Sequence, residues 1–213
     1  CMLAMLGASS VAQADVKFRV GYEATTNEYV VYMLPQTVPS PDIALSSQVT
    51  IAAPHLTGDK RFEVTNVKSY TPGVVWRNHS RIDAPVESAF NDFLSFGFSL
   101  TSSTPPAFGW VAGQETPVLS FTAPTGCVTG VRLLDNNELF NRLPNSSNTN
   151  PGNEFSNIGW MTGYNGNYGE SVICAGDVVV TPTPTPVEVT PLPIEVTPTP
   201  TPTPVEVVPA PTP

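Results

Sequence analysis

Prolines at alternate positions restrict the C-terminal end of this sequence more tightly than any other feature restricts the rest. Residues 181–213 read TPTPTPVEVTPLPIEVTPTPTPTPVEVVPAPTP and hold half of the chain's 24 prolines. Each proline removes a backbone donor and locks φ, so helix is excluded and a sheet ladder is starved. Polyproline II is the conformation left by default. Set within the run are three triplets, Val187-Glu188-Val189, Ile194-Glu195-Val196 and Val205-Glu206-Val207. Each puts two β-branched residues on one face and a carboxylate on the other, the pattern of a short strand. A plain spacer gains nothing from them, whereas a segment that adds itself to an exposed sheet edge needs them. Val187, Val189, Ile194, Val196, Val205 and Val207 are therefore the candidate inter-subunit contacts. At about 3.1 Å per residue such a tail spans roughly 100 Å, against roughly 40 Å for a domain of about 165 residues. It reaches past one neighbour to the next. A flexible stalk or linker is the competing reading.

The chain accordingly divides into an apolar N-terminal segment (1–14), a β domain (15–178) and the Thr/Pro-rich extended tail (179–213). Met2 to Leu6 is apolar, small residues follow, and Ala12-Gln13-Ala14 has the form of an export-signal cleavage site. Two readings stand side by side. Either the segment is removed on export, or its apolar residues are buried against a neighbouring subunit. Lipid attachment at Cys1 is a third.

In the body, Val16, Phe18 and Val20 alternate with Lys17, Arg19 and Gly21, and Thr25-Thr26-Asn27 leads into Glu28–Met33, an opening hairpin. Further strands are predicted at Gln48–Ala52, Phe62–Val67, Val74–Trp76, Leu94–Leu100, Pro117–Thr122, Cys127–Leu134 and Glu170–Cys174. Turn clusters such as Pro39-Ser40-Pro41-Asp42 separate them. Only Val86 to Phe93 suits a helical turn or two. This pattern predicts an all-β fold of two packed antiparallel sheets, with the extended tail beyond it. Asn145 to Asn167 is rich in Asn and Gly and reads as one long loop, held by its own side-chain bonds to the backbone. Trp76, Trp110 and Trp160 read as core and rim packing rather than a sugar-stacking platform.

Cys127 and Cys174 are the only cysteines inside the domain, and in an exported protein such a pair is normally oxidised. The bridge closes a loop of about 48 residues, valued at roughly 4 kcal/mol by chain entropy. Two free buried thiols are the alternative.

Charge excludes one class of partner. The chain carries 18 acidic against 9 basic residues, a net charge of -9, so it cannot present the basic surface that nucleic acid demands. No apolar run approaches the ~20 residues of a membrane-spanning helix, which predicts a soluble mature chain without a membrane span. Its two histidines, His55 at a strand end and His79 in a polar loop, lack zinc-ligand spacing and read as surface residues. No G-x-S-x-G elbow appears, and Gly163, Gly166 and Gly169 punctuate a loop without the lysine of a phosphate cradle. No carboxylate pair stands out for glycoside hydrolysis. No enzymatic activity and no cofactor are therefore expected. The weak metal candidates are Asp135 and Glu138 in Asp135-Asn136-Asn137-Glu138, with Asn150, Asn153 and Asn157 nearby. An ordinary turn explains this stretch better, because calcium-loop spacing is absent.

Covalent glycans are better supported. Asn78-His79-Ser80 and Asn145-Ser146-Ser147 are N-x-[ST] sequons in loop-like context, making Asn78 and Asn145 N-glycosylation candidates. Thr181, Thr183, Thr185, Thr190, Thr197, Thr199, Thr201 and Thr203 each precede proline and are O-glycosylation candidates.

The opening strand Val16-Lys17-Phe18-Arg19-Val20, the late pair Cys127 and Cys174 and the loop Asn150-Pro151-Gly152-Asn153 together resemble exported bacterial cell-surface β-sandwich domains of immunoglobulin-like or cohesin-like type. The resemblance covers about Asp15 to Ala175. It implies an immunoglobulin-like sandwich; a cohesin-like one would imply dockerin binding, although no dockerin-type calcium repeat occurs here. The tail and the N-terminus resemble, in architecture, subunits of glycosylated extracellular filaments from environmental bacteria. The expectation is a structural subunit of such a secreted filament, a homopolymer joined head to tail through the tail, because contacts that do not close generate open helical polymers. A cell-surface adhesin or carbohydrate-binding module on a proline-rich stalk is the alternative. A secreted hydrolase ranks third.

Overall fold

The computed structural model describes residues 15–160 and 163–177. The expectations for segment 1–14, for the tail threonines Thr181 to Thr203 and for the triplets between Val187 and Val207 lie outside the described residues.

The described strands are β1 (Val16–Glu23), β2 (Glu28–Pro35), β3 (Ala44–Pro54), β4 (Thr65–Ser69), β5 (Val74–Asp83), β6 (Asn91–Leu100), β7 (Thr116–Thr122), β8 (Arg132–Leu133), β9 (Glu154–Asn157) and β10 (Tyr164–Asn167). They form two sheets, ordered β10-β1-β2-β7-β4 and β5-β6-β3-β8, with β9 also pairing to β3. The domain is an all-β sandwich. Val16, Phe18 and Val20 on β1 point inward, and Asn27 adopts the positive φ of 56° that lets the hairpin turn close. The two sheets meet through aromatic faces. Phe121 on β7 stacks on Tyr29 of the same sheet and on Phe96 of the facing sheet, each at 5.2 Å between centroids. Trp76, Trp110 and Trp160 are all buried, as packing residues should be.

Several boundaries differ from the sequence reading, each for a local reason. β5 runs on from Trp76 to Asp83, so Asn78 and His79 lie on a strand rather than in a loop. That strand is terminal in its sheet and its lower half is polar, which erases the alternation by which a strand is recognised. Phe62 is buried in the β3–β4 connection, and β4 begins only at Thr65. The stretch Val86–Phe93 gives one 3-10 turn at Val86–Ser88 and then joins β6. Cys127–Leu134 contracts to the two residues of β8, because Gly126 and Gly130 take positive φ of 70° and 93° and turn the chain twice. Glu170–Cys174 forms no strand, although Val172 exchanges backbone bonds with Val131 and Gly130.

The Asn-rich stretch is not one loop. β9 pairs with β3 through Ser47 and Gln48, and β10 pairs in parallel with β1 through Val16 and Phe18. A parallel pair inside an otherwise antiparallel sandwich follows from the chain crossing from one sheet to the other after β9. A second, smaller core of Ala52, Phe93, Leu134 and Phe140 sits on the outer face of β3 and β6. Ala52 and Phe93 alternate with the inward-facing Ile51 and Leu94, so segment 134–153 covers that face as a third layer.

Candidate functional site

One gap in the sandwich organises this third layer. β9 covers β3 up to Gln48 and β8 covers it from Ile51, leaving Thr50 opposite no strand. The side chain of Asn153 fills the space. Its Oδ1 accepts from Thr50 N at 2.8 Å and its Nδ2 donates to Leu134 O at 2.7 Å. Asn136 and Asn153 exchange bonds, Asn136 Oδ1 accepting from Asn153 N at 2.8 Å and Asn136 Nδ2 donating to Asn153 O at 2.9 Å. The hydroxyls of Thr50 and Ser95 meet at 2.8 Å beneath. Buried amides are tolerable only when so paired.

The two weak metal candidates belong to this layer. Asp135 Oδ1 accepts from the backbone and side-chain nitrogens of Asn137 at 2.9 and 3.0 Å, closing an Asx turn. Glu138 is paired with the Arg132 guanidinium through both oxygens and also accepts from Asp135 N at 2.8 Å. Among the described residues no three His, Cys, Asp or Glu side chains are grouped as metal ligands.

The glycan candidates part company. Asn78 is exposed on β5, its Nδ2 donating to Ser80 O and Ser95 O at 3.3 and 3.1 Å. Asn145 is not presented for modification. It is buried, its Nδ2 donates to Phe140 O and Thr149 O at 2.7 Å each, and its Oδ1 accepts from Thr149 N. A glycan on that nitrogen would displace one of those bonds.

The sulfurs of Cys127 and Cys174 are bonded at 2.06 Å. The bridge brackets the whole third layer and both short strands that follow it. His55, expected as a surface residue, is only half-buried and binds the fully buried Asp92, Nδ1 to Oδ1 at 2.6 Å. The same carboxylate accepts from Arg81 Nη2 at 2.9 Å and Ala84 N at 3.1 Å, so the buried charge is fully compensated. Arg81 also donates to Phe62 O and Asp83, and the network ties the β5–β6 hairpin to the β3–β4 connection. Burial raises Asp83, but hydrogen bonds from Arg61 and Arg81 outweigh it and hold that carboxyl below its ordinary value.

Two surfaces remain open. The first is a cleft of about 400 Å³ on the seam between β1 and β8, lined by Arg19, Arg132, Asp135, Glu138, Tyr168 and Glu170 among others. Arg19 lies 4.0 Å over the Tyr32 ring and grips Glu115 with two bonds of 2.6 and 2.5 Å. Tyr168 donates to the same carboxylate at 2.9 Å. The Arg19 bond holds Glu115 below its ordinary pKa against the opposing effect of burial. Burial and the bond to Glu115 push the Tyr168 hydroxyl up.

The second surface is apolar. Val86 and Phe90, on the β5–β6 connection, are 84% and 88% exposed, and Leu139 and Leu143, at the edge of the third layer, are 60% and 61% exposed. The two segments are laced together: Ser146 donates through N and Oγ to Glu87, and its Oγ accepts from Val86 N. Beside Leu143, Arg142 is exposed and donates to Asn137 O, with no carboxylate at ion-pair distance among the described residues. Sequence reasoning missed both surfaces. Arg19, Arg132 and Tyr168 are far apart in the chain, and isolated Val and Phe in turns carry no periodic signal.

Comparison with known protein families, curated proteins and solved structures finds no match to this chain.

Proposed function

We propose that this chain is the structural subunit of a secreted, glycosylated extracellular filament, assembled head to tail with the C-terminal segment lying on neighbouring subunits. The observation that carries the reading is a pairing of opposites in one chain. The domain keeps an exposed apolar rim beside the terminal strand β5, and the tail sequence repeats a strand-forming apolar triplet three times within a long proline-rich run. An unpaired edge and an exposed apolar surface are liabilities unless something covers them. A tail on the next subunit covers them without closing a ring, which yields a polymer. The bonded cysteines suit an oxidising, extracellular setting, and among the described residues no helix is long and apolar enough to cross a membrane. Within this reading the sandwich is of immunoglobulin-like type, the glycans are O-linked on the tail threonines and N-linked on Asn78, and the chain acts as a non-enzymatic building block.

Negative-stain microscopy of the purified chain tests this directly. Fibres are expected from residues 1–213 and monomers from a chain ending at Val180; fibres from the shortened chain would reduce the tail to a tether. One observation favours a second reading, an adhesin or carbohydrate-binding module on a stalk: the open polar cleft at Arg19 and Arg132. Binding of a soluble glycan by monomeric protein, abolished by Arg132→Ala, would select it.

A further inference from the structure

We infer that the apolar rim formed by Val86, Phe90, Leu139 and Leu143 is the docking site for the Val-Glu-Val and Ile-Glu-Val triplets of the C-terminal segment of another copy of this chain. The inference rests on the filament reading above and names the surface at which its subunits join.

Three observations lead to this occupant. The first is the exposure itself. A phenylalanine 88% exposed and a valine 84% exposed on one short connection, beside two leucines 60% and 61% exposed on the segment laced to it, are a concentration of apolar surface; the other exposed large apolar side chains among the described residues reach at most 57%. Such a concentration marks an interaction site rather than ordinary scatter. The rim is also stiff, because Glu87 and Ser146 lock its two halves together and Phe93 packs on Phe140 beneath it at 4.5 Å. A ligand therefore meets a preformed surface, with little left to order on binding.

The second is the complementarity of the tail. Its triplets offer pairs of β-branched side chains two residues apart, about 7 Å along an extended chain, and a proline lies within two residues on either side of each pair. Val86 and Phe90 on the β5–β6 connection and Leu139 and Leu143 on the segment laced to it offer separate apolar contacts, which suit side chains spaced along an extended segment. Residues 181–213 also contain Glu188, Glu195 and Glu206 and no lysine or arginine. The exposed Arg142 borders the rim with no carboxylate partner among the described residues. Opposite charge at the border of an apolar contact steers association and fixes which partner fits.

The third is reach. Thirty-three residues that extend to roughly 100 Å bring three separated triplets across neighbouring domains, so one tail engages more than one rim. Weak single contacts then add through effective concentration.

The test uses the full chain. Phe90 is replaced by the photoreactive p-benzoylphenylalanine, and equal amounts of unlabelled and nitrogen-15-labelled protein are mixed, allowed to assemble, irradiated and digested. The proposal expects mixed-label cross-links from position 90 to peptides spanning 187–207. Cross-links from position 90 to the β domain of another copy would make the rim a domain–domain contact and overturn it, as would links that are exclusively same-label, which mean a tail folded back on its own domain. Absence of any cross-link in fibres that still form would place the junction elsewhere; the filament reading would then survive while this inference fell. If the chain forms no assembly at all, both fall. A charge exchange provides the second readout. Arg142→Glu should raise the critical concentration for assembly about threefold, the scale of an exposed pair, and Phe90→Ser about tenfold, the scale of an interface anchor. Joint replacement of Glu188, Glu195 and Glu206 by arginine should restore assembly to Arg142→Glu but not to Phe90→Ser. Failure of that rescue would remove the charge component of the argument and, with unaltered assembly of Phe90→Ser, the proposal itself.

Discussion

The two faces of the sheet β5-β6-β3-β8 are covered by different chemistries. Its inner face meets the other sheet through Ile51, Leu94, Phe96 and Trp76, all apolar and almost wholly buried. Its outer face is covered by segment 134–153, where a four-residue apolar cluster is ringed by Asn136, Asn145, Asn153, Thr50 and Ser95. The first cover is non-directional and stabilises through area removed from water. The second pairs most of the amide groups it buries, Asn141 Oδ1 being an exception, so it contributes less net free energy but depends on directional contacts. The facing sheet offers a further contrast. Among the described residues its outer face carries no such layer, and Arg19, Tyr32 and Glu115 stand there partly exposed.

The largest effect should come from the inner face. Phe121→Ala removes a ring stacked on both Tyr29 and Phe96 and should cost about 3 to 5 kcal/mol in chemical denaturation. A loss below about 1 kcal/mol would mean that the aromatic stack does not hold the sheets together. Replacing Cys127 and Cys174 by serine comes next, at about 4 kcal/mol or less after strain. Because the bridge brackets the outer layer, hydrogen exchange should quicken in residues 134–157 before it quickens in β2 or β7. Uniform acceleration would show that the layer has no stability of its own to lose. Asn153→Ala should cost about 2 kcal/mol, since it strands the buried Thr50 N–H. The Thr50 amide is the reporter: its exchange should rise while that of Val31 stays slow. Equal cost for Asn153→Ala and Phe121→Ala would erase the distinction between the two covers.

The smallest effect belongs to the open face. Glu115→Gln breaks one member of a half-exposed pair and should cost less than about 1 kcal/mol. Its signature is pH. Arg19 holds the folded carboxyl below its ordinary value, so the pair's contribution is complete above the unfolded glutamate pKa of about 4.3. It is lost as pH falls through the lower folded value. The wild-type and Glu115→Gln stability curves should therefore converge in acid, and parallel curves would mean that the pair contributes nothing.

The hairpin β1–β2 was legible because Val16, Phe18 and Val20 alternate cleanly with polar residues, and period two leaves no other reading. The pairing of Cys127 with Cys174 was legible because only two cysteines lie in the domain. β9 and β10 were not, because Glu154–Asn157 and Tyr164–Asn167 are short, polar and Gly/Asn-bearing. They are strands because β3 and β1 offer them edges, a fact about neighbours rather than about themselves. Asn145 illustrates the same limit in the candidate sites. Its sequon is local, whereas the two carbonyls that claim its nitrogen depend on how segment 140–149 folds over the sheet.

By itself, then, the sequence determined the all-β class, the opening hairpin with Val16, Phe18 and Val20 on one face, and the packing role of the three tryptophans. Proline stereochemistry and side-chain alternation act within a few residues and need no partner. Tertiary structure alone decided that an asparagine replaces a missing strand residue opposite Thr50, and that a polar segment becomes a third layer. It also decided that Val86, Phe90, Leu139 and Leu143 gather on one rim. Each of these joins groups that are tens of residues apart, and hydrogen-bond satisfaction and apolar contact are settled by distance in space, which only the folded chain defines.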